Sequence, residues 1–331
     1  MGKEILIYSP NWLGDAVMAM PAVKQIELSS PSDTKIVILA KYTVAGLWHM
    51  HSSVDEVIVL QGGTKASFAM AKTLRKRNFS KIYIFPHSLR SGLIAFFGRI
   101  PIRRGTTINA RALAINDKVY FDKSFDDKHQ AIEYLKIADA PLDSDLSNTG
   151  FVPEAAELPQ EFVAQSATNK CIAIIPGAAR GESKRWPFYA EAAKLMLAND
   201  PSLKFFVCGS PNEAPLCEQV VKEIGADSAT SLAGKTNLAQ FATVLRKASL
   251  VLCNDSGGMH LASAAGTPVV AMFGLTSPVK TGPLGNNAVV IQPAGVKGAR
   301  AISRNSEEAI AVLRSISPEQ VAEAALKVLG E

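Results

Sequence analysis

The run Asn254-Asp255-Ser256-Gly257-Gly258-Met259-His260 gathers a carboxylate, a hydroxyl, two glycines and an imidazole into one short stretch. Before it lies Leu250-Val251-Leu252, a buried-strand pattern; after it comes Leu261-Ala262-Ser263-Ala264-Ala265, a small-residue helix stopped by Gly266 and Pro268. A strand that feeds a helix through Asp-Ser-Gly-Gly aims unpaired backbone N–H groups and the positive end of the helix dipole at a ligand. The missing side chains of Gly257 and Gly258 permit close approach. That chemistry is anion binding. Asp255 adds a carboxylate suited to sugar or ribose hydroxyls, and His260 adds a ring nitrogen about one turn into the helix. A plainer reading makes Asp255 or Ser256 a helix N-cap and puts His260 in a satisfied pocket.

Three further segments carry similar chemistry. The first is Asn11-Trp12-Leu13-Gly14-Asp15, where Gly14 can take a positive φ and Asp15 stands at a helix start. As a cap, Asp15 would need no further purpose. Pro21 must either kink that helix or begin its regular part. The second, Pro176-Gly177-Ala178 through Lys184-Arg185-Trp186-Pro187, ends a strand in a loop whose cations Arg180, Lys184 and Arg185 suit a diphosphate. The third, Leu232-Ala233-Gly234-Lys235-Thr236, is another glycine-containing turn before a helix. There is no GxxxxGK[ST] and no GxGxxG after the first strand, so neither common nucleotide loop is present.

The elements that must position these residues are legible as short apolar runs at 5–8, 36–39, 57–60, 82–85, 172–175, 203–208, 250–252, 269–273 and 289–291. Runs of this length, rich in Ile and Val and separated by helical stretches, predict parallel sheets with crossover helices. A length of 331 residues suits two domains. The acidic, breaker-rich interval 139–165 reads as their linker, so the expectation is α/β with two doubly wound Rossmann-like domains, residues 1–155 and 156–331, facing across a central cleft. A terminal helix should be capped at Ser317, with Pro318 in its first turn.

Apolar content of 47% and charged content of 20% argue against disorder. The opening residues do not read as a signal peptide, and no run approaches the roughly 18 apolar residues of a membrane span. Cysteines 171, 208, 217 and 253 have neither CxxC spacing nor secreted context, so reduced buried thiols, a cytoplasmic setting and no metal site are expected. Net charge is only +5, yet residues 60–120 hold twelve bases against the single acid Asp117. An acidic partner follows: nucleic acid, anionic lipid, or a phosphorylated or carboxylated glycan. No RNA or DNA module is recognisable, which argues against the first.

Taken in order, Asn-Trp-Leu-Gly-Asp at 11–15, Pro-Gly-Ala with Lys-Arg-Trp-Pro at 176–187, Leu-Ala-Gly-Lys-Thr at 232–236 and Asn-Asp-Ser-Gly-Gly-Met-His at 254–260 followed by Phe-Gly-Leu-Thr-Ser-Pro at 273–278 resemble the lipopolysaccharide heptosyltransferases, glycosyltransferase family nine. Pro86-His87-Ser88, Arg104-Gly105 and the 111–117 run are more like the second heptosyltransferase, which extends a heptosylated inner core, than the first. Residues 292–316 depart from the relatives in lacking cysteine-containing motifs.

The resemblance implies a GT-B fold and inverting transfer from ADP-L-glycero-D-manno-heptose, without an obligatory metal or other cofactor. It implies Asp15 as base. Gly14, Lys184, Thr236, Asp255, Ser256, Gly257, Gly258 and His260 would meet the donor, and Arg90, Arg104 and Arg111 the anionic lipid-linked acceptor of Kdo and heptose. It also implies peripheral contact with the cytoplasmic face of an anionic inner membrane. Rival readings are a first heptosyltransferase, a hexosyltransferase or sugar-nucleotide epimerase with the same diphosphate grip, and a non-catalytic two-lobed nucleotide-sugar-binding protein.

Overall fold

The Ile-, Val- and Leu-rich runs become parallel strands, most of them buried on both faces. The computed structural model describes residues 4–108, 111–155, 157–178, 181–296 and 306–330; Arg180 and residues 297–305 of the departing 292–316 segment lie outside them. The chain divides into two compact units, Met1–Val152 and Pro153–Glu331.

In the first unit, β1 (Glu4–Tyr8), β2 (Lys35–Lys41), β3 (Glu56–Leu60), β4 (Phe79–Ile84), β5 (Ile102–Thr106) and β6 (Asp117–Val119) form a sheet of order β3-β2-β1-β4-β5-β6. Every pairing in it is parallel. The second unit repeats the plan with β7 (Cys171–Ile175), β8 (Lys204–Val207), β9 (Ala229–Ser231), β10 (Leu250–Asn254), β11 (Val269–Met272) and β12 (Ala288–Ile291), in the order β12-β11-β10-β7-β8-β9. In both sheets the chain starts in the middle, runs to one edge, then returns to build the other half. The switch points lie between β1 and β4 and between β7 and β10, the places where doubly wound sheets open a crevice at their carboxyl ends.

The first unit's crossovers are α1 (Leu13–Met18), α2 (Met20–Leu28), α3 (Tyr42–Trp48), α4 (Thr64–Leu74) and α5 (Leu89–Phe97), with α6 (Gln130–Ala138) following β6. The second unit opens with α7 (Gln160–Ser166) and continues with α8 (Tyr189–Asn199), α9 (Ala214–Ile224), α10 (Leu238–Lys247), α11 (Gly257–Ala264), α12 (Pro278–Thr281), α13 (Glu307–Arg314) and α14 (Pro318–Leu329). Alternate residues of β1, β2 and β4 pack against Leu74, Ile94 and Ile100 in one core of the first unit. Ile172, Ile174, Leu250 and Leu252 pack against Ala193, Met196, Val321 and Ala325 of α8 and α14 in the second. The terminal helix starts as expected, with a reciprocal Ser317/Gln320 capping box and Pro318 in the first turn.

Three strands escaped the apolar pattern. β5 carries Arg103 and Arg104, while β6 and β9 are three-residue edge strands. Pro21 begins a regular helix: α1 stops at Met18, and α2 starts with the proline in its first turn, where its missing N–H costs nothing. The interval 139–165 is not a free linker. Phe151 forms a bridge with His51, and Phe162 of α7 stacks edge-on against Phe206 at 5.0 Å. All four cysteines are free and buried. Burial pushes the Cys171 thiol up to about 11 and those of Cys208 and Cys217 to about 12, which suppresses thiolate chemistry.

Candidate active site

The loops after β7 and β10, the two strands flanking the second switch point, are tied together by one buried amide. Asn254 accepts from the Trp186 backbone N–H at 2.9 Å and donates through Nδ2 to the Pro176 carbonyl, also 2.9 Å. Trp186 is itself buried, and its indole N–H donates to the Ile316 carbonyl at 3.0 Å. The Lys184 loop is therefore held at both ends.

Within that frame Lys184 Nζ donates to Asp255 Oδ2 at 2.5 Å, and the Thr276 hydroxyl donates to the same oxygen at 2.5 Å. Asp255 is only 8% exposed, so this is a largely desolvated ion pair standing just ahead of α11. Thr276 belongs to the loop after β11, which Gln292 pins by donating to the Gly274 and Thr276 carbonyls at 2.7 and 2.9 Å.

Ser256 occupies the N-cap of α11 but makes no capping hydrogen bond, and its buried Oγ has no partner among the described residues. Among the described residues, then, the N-cap side chain does not satisfy the first N–H groups of α11, at Gly257 and Gly258, which argues against a merely capped corner. Gly258 serves packing: a Cβ there would come within 2.7 Å of Ile175 Cδ1, so the glycine lets α11 lie against the end of β7. His260 is buried in the same helix. Gly177 is overlain by the Glu213 side chain, whose carboxylate accepts from the Ser210 N–H at 2.8 Å and hydroxyl at 2.7 Å. Thr236 precedes α10 on the loop after β9, at the same sheet edge but three strands from β10.

In the first unit, Asp15 follows β1 at the switch point. Trp12 is the N-cap of α1, with no side-chain cap, and Asp15 is the third residue of the helix; it is not the cap. Gly14 is helical and has no positive φ, contrary to expectation. Asp15 Oδ1 accepts from Gln130 Nε2 at 3.2 Å, and Gln130 also reaches the Tyr134 hydroxyl at 3.2 Å. Burial, together with the adjacent Asp15 carboxylate, pushes the Tyr134 phenol well up, so it stays protonated. Asn11 Oδ1, in the same loop, is buried without a hydrogen-bond partner among the described residues.

The three arginines expected to meet an acceptor separate sharply. Arg111 is 0% exposed: it donates to the Thr106 carbonyl and hydroxyl and to Pro86 O and Ser91 Oγ, and burial lowers its guanidinium to about 10. Arg104 donates to Asp117 and Asp139, each at 2.7 Å, and to the Ile137 carbonyl at 2.9 Å, tying β5 to β6 and to the end of α6. Both are tied into the protein by four hydrogen bonds each, which favours a structural role for them. Arg90 stands near the head of α5 and donates to the Gln61 and Gly63 carbonyls at 3.2 Å.

Two doubly wound α/β units, each with its own parallel six-stranded sheet, are the architecture of the GT-B class of glycosyltransferases. The profile described as glycosyltransferase family 9 (heptosyltransferase) matches residues 67–309. The chain belongs to this family. It is 29% identical over 310 residues to lipooligosaccharide heptosyltransferase 2 of Haemophilus influenzae, covering 87% of this chain and 88% of that one. It is 27% identical over 321 residues to lipopolysaccharide heptosyltransferase 2 of Escherichia coli, with the same coverage. The solved structure of Escherichia coli ADP-heptose LPS heptosyltransferase II superposes with a TM-score of 0.81 over 98% of both chains at 24% identity.

Proposed function

We propose that this chain transfers L-glycero-D-manno-heptose from ADP-heptose, with inversion, to the heptosylated inner core of lipopolysaccharide. The observation that carries the reading is the Lys184–Asp255–Thr276 cluster ahead of an uncapped α11. It is a cationic, amide-rich mouth of the kind that accepts a diphosphate leaving group. Asp255 acts mainly by fixing Lys184, whose remaining N–H donors meet the diphosphate together with the Ser256–Gly258 amides. Thr276 joins the donor-binding residues. Residues 1–155 would serve the acceptor and residues 156–331 the donor.

In the reaction the acceptor hydroxyl oxygen bonds to the anomeric carbon while the bond from that carbon to the β-phosphate oxygen breaks. The electron pair leaves with ADP, and the hydroxyl proton passes to Asp15. A carboxylate at a helix start is a weak base, so proton transfer comes late, when the hydroxyl has become acidic. Gln130 orients the carboxylate. The acceptor is lipid-linked, so the enzyme works at the cytoplasmic face of the inner membrane; no helix among the described residues is long and apolar enough to cross one.

The test follows ADP release from ADP-heptose supplied with Kdo-lipid A or with its monoheptosylated form. Release is expected with the monoheptosylated acceptor. Asp15→Asn should reduce it by about 10²–10⁴-fold while leaving ADP binding within a few fold; near-normal turnover of that variant would remove Asp15 as the base.

A further inference from the structure

We propose that the face formed by α4 and α5 in the first unit is a docking surface for an anionic phospholipid bilayer. The two helices leave their aromatic side chains outward. Phe68 of α4 is 61% exposed and Phe97 of α5 is 47% exposed, with ring centroids 5.9 Å apart. Phe96 continues the cluster, 5.5 Å from Phe97. Between the helices opens a cavity of about 330 Å³ lined by Phe68, Leu89, Leu93, Ile94 and Phe97, with Arg90 beside them. Apolar surface this continuous is ordinarily covered by something.

Charge identifies the cover. From Val57 to Asn116 the sequence contains eleven Lys and Arg residues and not one Asp or Glu. Arg77 and Arg104 are neutralised by acids from outside that window, and Arg111 is buried. Lys65, Lys72, Arg75, Lys76 and Arg99 remain exposed on or beside the two helices.

A second copy of this chain would satisfy the phenylalanines, but a two-fold contact would set these cations against their own images. Nucleic acid would satisfy the cations and leave the leucines and phenylalanines wet. Only a bilayer takes both: aromatic and aliphatic side chains enter the acyl boundary while lysines and arginines meet the headgroups. The part of the groove lined by Gly63, Thr64, Leu89 and Arg90 lies at the heads of α4 and α5, on the carboxyl edge of the sheet where Asp15 also stands. A bilayer seated there would deliver a lipid-linked hydroxyl to the reacting edge of this unit.

The inference does not depend on the catalytic reading, because binding to lipid needs no turnover. The full chain is sedimented with vesicles of phosphatidylethanolamine containing a quarter phosphatidylglycerol, and separately with pure phosphatidylcholine vesicles. Partitioning onto the anionic vesicles is expected, weakening several-fold as salt rises. Phe68→Ser with Phe97→Ser should lower it by about tenfold or more, since each ring contributes buried apolar area. Lys72→Glu with Arg75→Glu should lower it comparably and flatten the salt dependence. Both pairs are solvent-exposed, so an unchanged circular dichroism spectrum and thermal midpoint verify the fold. Equal sedimentation of wild type and variants would overturn the proposal, as would equal binding to phosphatidylcholine. So would analytical ultracentrifugation in which the Phe pair dissolves a dimer without changing vesicle binding. Asp15→Asn should bind vesicles like wild type, which separates a failure of this surface from a failure of the transferase reading.

Discussion

Lys184 and Asp255 bind each other within the protein, and the consequence is preorganisation: the carboxylate orients the ammonium and is itself held by Thr276. Lys184→Met would leave a desolvated carboxylate facing the incoming diphosphate, so kcat/KM for ADP-heptose should fall by about 10²–10³-fold. Thr276→Val removes one hydrogen bond to a charged acceptor and should cost about tenfold. The double variant Lys184→Met/Asp255→Asn should be less impaired than the product of its singles, because the two act as a pair; strict multiplicativity in steady-state assays would contradict that coupling. Residue type together with the family resemblance pointed to Asp15, Lys184 and Asp255. It could not show that Lys184 and Asp255 bind each other, since 71 positions separate them and only the sheet order brings β7 beside β10. Nor could composition show how Arg104 and Arg111 are engaged: it counts a cation but does not see that its partners are backbone carbonyls and distant acids.

At the scale of elements, the site depends on how closely α11 lies against β7. Gly258→Ala would press a methyl group onto Ile175, costing about 1–3 kcal/mol unless the isoleucine rotates. Trimming the opposing side chain, as Gly258→Ala/Ile175→Val, should recover much of that loss and restore ADP binding; urea titration and ADP calorimetry of both variants check it. Arg104→Gln belongs here too. It loosens β5, β6 and α6 together, so the unfolding midpoint should drop by the equivalent of about 2–3 kcal/mol while the acceptor KM stays near wild type. A large KM rise with unchanged stability would return Arg104 to the acceptor site. Most strands were legible because a parallel strand covered on both faces has little choice but continuous Ile, Val and Leu. β5 was not, since its arginines lie partly buried and are satisfied sideways: Arg103 donates to the Ala114 and Ile100 carbonyls at 2.8 and 2.6 Å. The three residues of β6 and of β9 are too few to display any period.

For the molecule as a whole, two cores of the same plan were foreseeable from the recurrence of apolar runs; what could not be foreseen was the clamp near the end of the first unit. His51 is buried beside Trp48. Its Nδ1 accepts from the Ser53 N–H at 3.1 Å, so its Nε2 carries the proton it donates to the Met20 carbonyl at 3.3 Å, and its backbone bridges Phe151. Burial, with a smaller push from Lys24 against the pull of Glu27, lowers its pKa from 6.5 to about 4. The folded form therefore resists a proton that the unfolded chain accepts. Stability is full above the unfolded value and declines as pH falls from about 6.5 towards 4, by about 3 kcal/mol in total. Urea unfolding at pH 7 and pH 5 should show the loss, and His51→Gln should flatten the slope between them; an unchanged slope would place the proton uptake elsewhere.

Asn254 holds the two ends of one loop, accepting at Trp186 and giving at Pro176, with two atoms of a single amide. Exchanging it for aspartate alters almost nothing in shape, yet turns the atom facing the Pro176 carbonyl from donor to acceptor. A scaffold that diverges has little room at this position, where the smallest available edit sets oxygen against oxygen and frees the loop that carries Lys184.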